Sequence, residues 1–137
     1  MTDEDLRGCP IEMTLSIIGG KWKGIIMYHL MKSTTIRFNE LQRMLPGATP
    51  RMLTKQLREL EQDGVIHREI YPQVPPKVEY SLTDFGQSLT PILTQMETWG
   101  LHYMSSVLQE SAPSTEGSTK RVSQIKQSIL STKAEGN

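Results

Sequence analysis

Thr49-Pro50-Arg51-Met52-Leu53-Thr54-Lys55-Gln56-Leu57-Arg58-Glu59-Leu60 is the stretch that decides the fold. Thr49 offers a side-chain oxygen for an N-cap and Pro50 a helix-ready φ at the first helical position, so a helix is predicted to start here. Gly64 ends it. Leu53, Leu57 and Leu60 fall at i, i+4 and i+7, a core-facing stripe, while Arg51, Lys55 and Arg58 repeat that spacing two residues earlier. At about 100° per residue, the offset turns the basic stripe about 200° away from the leucines. Thr54 falls on the basic side.

Working outward, Cys9-Pro10-Ile11-Glu12 opens a first helix with proline at its start, and Leu15 and Ile18 give it an apolar face. Gly19-Gly20 breaks it, and Lys21 to Met31 is predicted as a second helix with Trp22, Ile25, Ile26, His29 and Leu30 at helical spacing. A third, from about Arg37 to Leu45, buries Phe38, Leu41 and Leu45 before Pro46-Gly47 stops it. Beyond Gly64 the period switches to two. Val65 to Tyr71 and Lys77-Val78-Glu79-Tyr80-Ser81-Leu82 are predicted strands, joined by Pro72-Gln73-Val74-Pro75-Pro76 as the stiff tip of a two-stranded hairpin. Thr83 caps a last helical region carrying Leu89, Ile92, Leu93, Met96, Trp99, Tyr103, Met104 and Val107, which Pro91 should kink or divide.

Helix, helix, turn, helix, hairpin, helix is the order of a winged helix-turn-helix. The predicted fold class is therefore α+β, mainly helical. In that arrangement the helix from Thr49 would enter a major groove, where an arginine fork matches guanine edges and a lysine suits phosphate or base acceptors. Thr49, Arg51 and Met52 would lie deepest, with Thr54, Lys55 and Arg58 along the same face. Lys77, Arg68 and the proline-rich tip are expected against the sugar-phosphate backbone or minor groove. Lys21, Lys23, Arg37 and Arg43 are further candidates for phosphate contacts.

Charge supports this reading once it is resolved along the chain. The 137 residues carry 15 Lys+Arg and 15 Asp+Glu, a balance that argues against a polyanion binder. Yet residues 21–80 hold ten basic and six acidic side chains, while residues 1–20 hold one and four and residues 81–137 four and five. The reading unit is basic between acidic ends. From Ser111 to Thr119 the composition turns to Ser, Thr, Pro and Gly, so residues 1–109 are expected to form the folded domain and 110–137 a largely disordered tail. No apolar run suits a membrane span, and Thr2-Asp3-Glu4-Asp5 is unlike a secretory leader. A cytoplasmic, nucleoid-associated protein without membrane partners is expected.

The residues themselves carry a resemblance. Cys9-Pro10 through Ile18-Gly19-Gly20-Lys21-Trp22, then Arg37-Phe38-Asn39-Glu40-Leu41, then Arg51 to Leu60, then Tyr71-Pro72 with Val74-Pro75-Pro76 and Val78 to Thr83, strongly resemble the HxlR-type bacterial transcriptional regulators. The match spans about residues 9–108. It implies a winged-helix homodimer that binds pseudo-palindromic double-stranded operator DNA, with the first helix and the long C-terminal helix as dimerisation helices. Leu15, Ile92, Met96, Trp99 and Tyr103 are the expected interface residues. The apolar stripe agrees, since it exposes more than a small reading domain can cover alone.

Cys9 is the only cysteine. From the residues alone it is a buried spectator, a reactive thiol or half of a bridge between subunits. Its place before Pro10 at a helix start favours a thiolate, while Glu12 and the acidic Asp3, Glu4 and Asp5 oppose one. The resemblance implies more, because several relatives use a cysteine at this position to sense oxidants or electrophiles, by alkylation or by a disulfide between subunits. A small oxidant or electrophile is thus an expected partner. A regulator governed by a non-covalent ligand and a winged helix that binds protein are the alternatives.

Enzymatic readings find little support. Gly20-Lys21 lacks the flanking residues of a phosphate-binding loop, and Asp84-Phe85-Gly86 lacks every other kinase element. His29, His67 and His102 are not spaced with Cys9 or acidic residues as a metal set, and His29 is expected to pack on its helix. No catalytic residue, metal or cofactor is assigned.

Overall fold

Local chemistry sets each boundary in the computed structural model, which describes residues 8–109. In chain order the elements are α1 (Pro10–Ile18), α2 (Lys23–Lys32), β1 (Ile36–Arg37), α3 (Phe38–Met44), α4 (Pro50–Gln62), β2 (Ile66–Tyr71), β3 (Lys77–Leu82), α5 (Asp84–Gln87) and α6 (Thr90–Gln109). Pro10 and Pro50 stand at the starts of α1 and α4 as anticipated. The turn after α1 runs further than expected: Gly20 takes a positive φ of 80° and Trp22 becomes the N-cap of α2, so that helix begins at Lys23 rather than Lys21. Gly64, at φ 74°, turns the chain out of α4, a conformation glycine adopts without a Cβ penalty.

Two units divide the chain, Met1–Gln95 and Met96–Asn137. The first is a mainly helical winged helix-turn-helix around one core. Ile26, Met27, Leu30, Ile36, Leu41, Leu53, Leu57, Leu60, Val65 and Ile66 are all essentially inaccessible there. Burial of each such side chain contributes about 1.5–3 kcal/mol, which fixes α4 by its leucine stripe. His29 is half-buried, and desolvation lowers its pKa below 6.5.

The sheet has three strands where the sequence suggested two. β1 joins β3 antiparallel, with Ile36 opposite Tyr80 and Arg37 opposite Glu79, giving the order β1-β3-β2. Hairpin register runs from Ile66 opposite Leu82 to Tyr71 opposite Lys77. Two residues carry no period, so β1 is formed by its pairing and by complete burial of Ile36.

Thr83 joins three elements. Its hydroxyl donates to the Gly64 carbonyl at 2.6 Å and accepts the Gly86 N–H at 3.0 Å, so one side chain satisfies the loop after α4 and caps α5. Gly86 packs so tightly that a Cβ there would lie 1.9 Å from the Val65 carbonyl oxygen. Helical structure then breaks at Ser88 and Leu89, upstream of Pro91, which lies in the first turn of α6.

In the second unit the described residues continue α6. Trp99 and Tyr103, one turn apart, stack with ring centroids 5.3 Å apart and planes 10° from parallel. The expected tail at 110–137 and the acidic Asp3, Glu4 and Asp5 lie outside the described residues.

Candidate nucleic-acid interface

The cap and the leucines together aim α4. Thr49 accepts the Met52 N–H at 3.1 Å, and Leu53, Leu57 and Leu60 are at most 1% exposed. Arg51, Lys55 and Arg58 are thereby exposed on the opposite side, and with Pro50, Thr54, Glu59 and Gln62 they line one open surface. Met52 is exposed at the edge of this face. Thr54 is half-buried, and its hydroxyl donates to the Pro50 carbonyl at 2.8 Å.

The acidic side chains of α4 pair with cations of other elements. Glu59 pairs with Lys23 of α2 at 2.6 Å, and Glu61 pairs with Arg68 of β2 at 3.3 Å. The hydrogen bond from Lys23 holds the Glu59 pKa below 4.5 against the opposing effect of desolvation. Arg51, Lys55 and Arg58 form no ion pair with any described residue. The result is a row of three cations with no direct ion pair among the described residues, although Glu59 lies close enough to Lys55 for the two charges to interact, and such a row suits a polyanion.

On the wing the cations are more engaged. Lys77 is half-buried, 2.9 Å from Glu79 and 4.8 Å above the Tyr71 ring, and its hydrogen bond lowers the Glu79 pKa. Arg68 is held by Glu61. The tip is exposed, with Val74 wholly so, and the Val74–Pro75 peptide is cis. A cleft of about 250 Å³ opens between the tip and the start of α3, lined by Arg37, Asn39, Gln73, Pro75, Pro76 and Lys77 among others. Asn39 and Gln73 were not singled out from the sequence, since only the chain's folding brings these distant positions together. Of the other basic candidates, Lys23 is paired, Arg43 bonds back to Asn39, Lys21 lies over Trp22, and Arg37 is exposed.

Cys9 is exposed and is the N-cap residue of α1. The backbone N–H groups of Glu12 and Ile11 at the open helix end draw its pKa below 9.0, although neither closes a regular capping bond on the sulfur. Along α1, Ile11, Met13 and Leu15 are exposed. Along α6, Ile92, Met96, Trp99 and Tyr103 are exposed, Trp99 to 68%, while Leu93 is buried. Large apolar side chains are thus left open on both helices among the described residues. No group of three or more His, Cys, Asp or Glu suited to a metal occurs among the described residues. No described helix is long and apolar enough to cross a membrane.

Comparison with known proteins agrees with this geometry. The HxlR-like helix-turn-helix family model matches residues 17–108. The HTH-type transcriptional regulator YdeP of Bacillus subtilis is 61% identical over 102 residues, 74% of this chain and 79% of its own. Among solved structures, the redox regulator HypR in its oxidized form is 62% identical with a TM-score of 0.66, covering 69% of this chain and 96% of that one. Its reduced form is 58% identical with a TM-score of 0.68, covering 74% and 98%.

Proposed function

The chain belongs to the HxlR-like helix-turn-helix family of transcriptional regulators, and from that premise we propose that it works as a homodimer reading operator DNA with α4. The observation that carries this reading is the outward face of α4, where Arg51, Lys55 and Arg58 are exposed and form no direct ion pair with a described residue, while Glu59 and Glu61 pair with Lys23 and Arg68. Thr49, Met52 and Thr54 complete the reading face. The wing, with Lys77, lies along the backbone. A two-fold dimer sets two such helices about 34 Å apart, one turn of B-DNA. Ile11, Met13 and Leu15 of α1 and Ile92, Met96, Trp99 and Tyr103 of α6 supply apolar surface for dimerisation.

Cys9 is the proposed input. It is exposed, its pKa is lowered, and the similar HypR is a redox regulator. With no second cysteine in the chain, oxidation joins Cys9 to the partner's Cys9 or to a small thiol. Two thiols lose two protons and two electrons to an oxidant such as diamide, which is reduced to the hydrazine. The bridge shifts α1 and with it the dimer's fit to DNA.

Salt-dependent binding of duplex DNA tests the core of the reading. Affinity should fall linearly on a log–log plot against salt, and a triple Arg51→Ala, Lys55→Ala, Arg58→Ala chain should flatten that line. Undiminished binding by the triple variant would move the interface elsewhere.

A further inference from the structure

Between Arg51 and Arg58 on the outward face of α4 stands a side chain of different chemistry. Thr54 lies about one turn from each, half-buried, with its hydroxyl proton committed to the Pro50 carbonyl at 2.8 Å. A hydroxyl committed in this way cannot donate to the N7, O6 or O4 acceptors of base edges. Serine would make the same backbone bond, so that bond does not account for a threonine. What threonine adds is a γ-methyl, on a side chain that lines the same open surface as Arg51, Lys55 and Arg58, and the C5-methyl of thymine is the apolar group that a base edge presents in the major groove.

We propose that Thr54 reads the C5-methyl of a thymine in each operator half-site, beside the base edge that the Arg51 fork engages. This rests on the reading of α4 as the DNA-reading helix. Removal of that methyl from water stabilises the complex by about 0.8 kcal/mol, close to fourfold in affinity.

The probe is a duplex enriched from a random-sequence pool by the wild-type chain, then remade with each thymine singly replaced by deoxyuridine. Wild type should lose about fourfold at one thymine per half-site. Thr54→Ser, which keeps the hydroxyl, should be indifferent to that replacement. Thr54→Val, which keeps the methyl, should remain sensitive. Indifference of wild type at every thymine, or unchanged sensitivity in Thr54→Ser, overturns the inference while leaving α4 as the reading helix. Sensitivity lost in Thr54→Val overturns it too, by assigning the contact to the hydroxyl. A pool that yields no enriched duplex overturns both the inference and the reading beneath it.

Discussion

Lys23 of α2 and Glu59 of α4 meet at 2.6 Å, so the helix proposed to read DNA is tied to its supporting helix through its own acidic side chain. Glu59 and Glu79 both have pKa values lowered chiefly by lysine hydrogen bonds. A depressed carboxylate pKa stabilises the fold above the unfolded value and loses that effect as pH falls through the folded value. Urea midpoints of wild type should therefore decline from about pH 4.5 downward. Glu59→Gln should be less stable than wild type at pH 7 and converge with it in acid. Parallel curves across the whole range would deny the pair any role.

Binding assays separate the cations of α4 from those of the wing. Arg51→Ala should cost about 1–3 kcal/mol of discrimination at one base position. Lys55→Ala should instead lower the slope of log affinity against log salt by about one. Lys77→Ala should weaken all sequences alike, and by less, because Glu79 already offsets its charge. Fluorescence anisotropy with matched and scrambled duplexes distinguishes the three.

Trp99 should anchor the dimer. At 68% exposure and stacked on Tyr103, it offers a large preorganised apolar surface to a partner. Trp99→Ala should raise the dimer dissociation constant by about 30-fold, the equivalent of roughly 2 kcal/mol. Sedimentation equilibrium measures this directly, and an unchanged constant would place the interface away from α6.

Replacement of Thr83 by alanine removes both of its hydrogen bonds, whereas serine restores them. Thr83→Ala should cost about 1–2 kcal/mol and Thr83→Ser much less. Thermal melts of the pair check the assignment.

For Cys9, the lowered pKa means that thiolate forms below the ordinary 9.0. The rate of alkylation by iodoacetamide should therefore rise through an inflection below that pH. Cys9→Ser should bind DNA as wild type does and lose its response to diamide. A Cys9→Ser chain that still releases DNA on oxidation would remove Cys9 as the sensor.

Most of the fold was legible because its signals are local. Thr49, Pro50 and Gly64 bracket α4 by capping chemistry, and the leucine and cation stripes have a period that only a helix satisfies. The change to period two exposed β3, and the β-rich composition of Val65 to Tyr71 exposed β2. Ile36–Arg37 was hidden, since a two-residue strand is created by its partners Tyr80 and Glu79 and not by its own pattern. At the site, the positions of Arg51, Lys55 and Arg58 followed from helical geometry. The pairing of Glu59 and Glu61 did not, because Lys23 and Arg68 reach them from other elements. The same holds for Lys77, whose engagement by Glu79 and Tyr71 depends on the strand pairing that brings Tyr71 opposite it.

The N–H groups of Gly64 and Val65 bond back to the Glu61 and Leu60 carbonyls of α4, and the same two residues are held from the far side of the hairpin by the Thr83 hydroxyl and by Gly86, so the end of α4 is tied to the base of the hairpin. Helix and wing must therefore turn together, as a key turns with its teeth fixed. On the proposed dimeric reading, a signal then acts on how two identical keys are spaced and tilted and not on their teeth, so inducing conditions should weaken binding to correctly spaced half-sites while leaving the preferred half-site sequence unchanged.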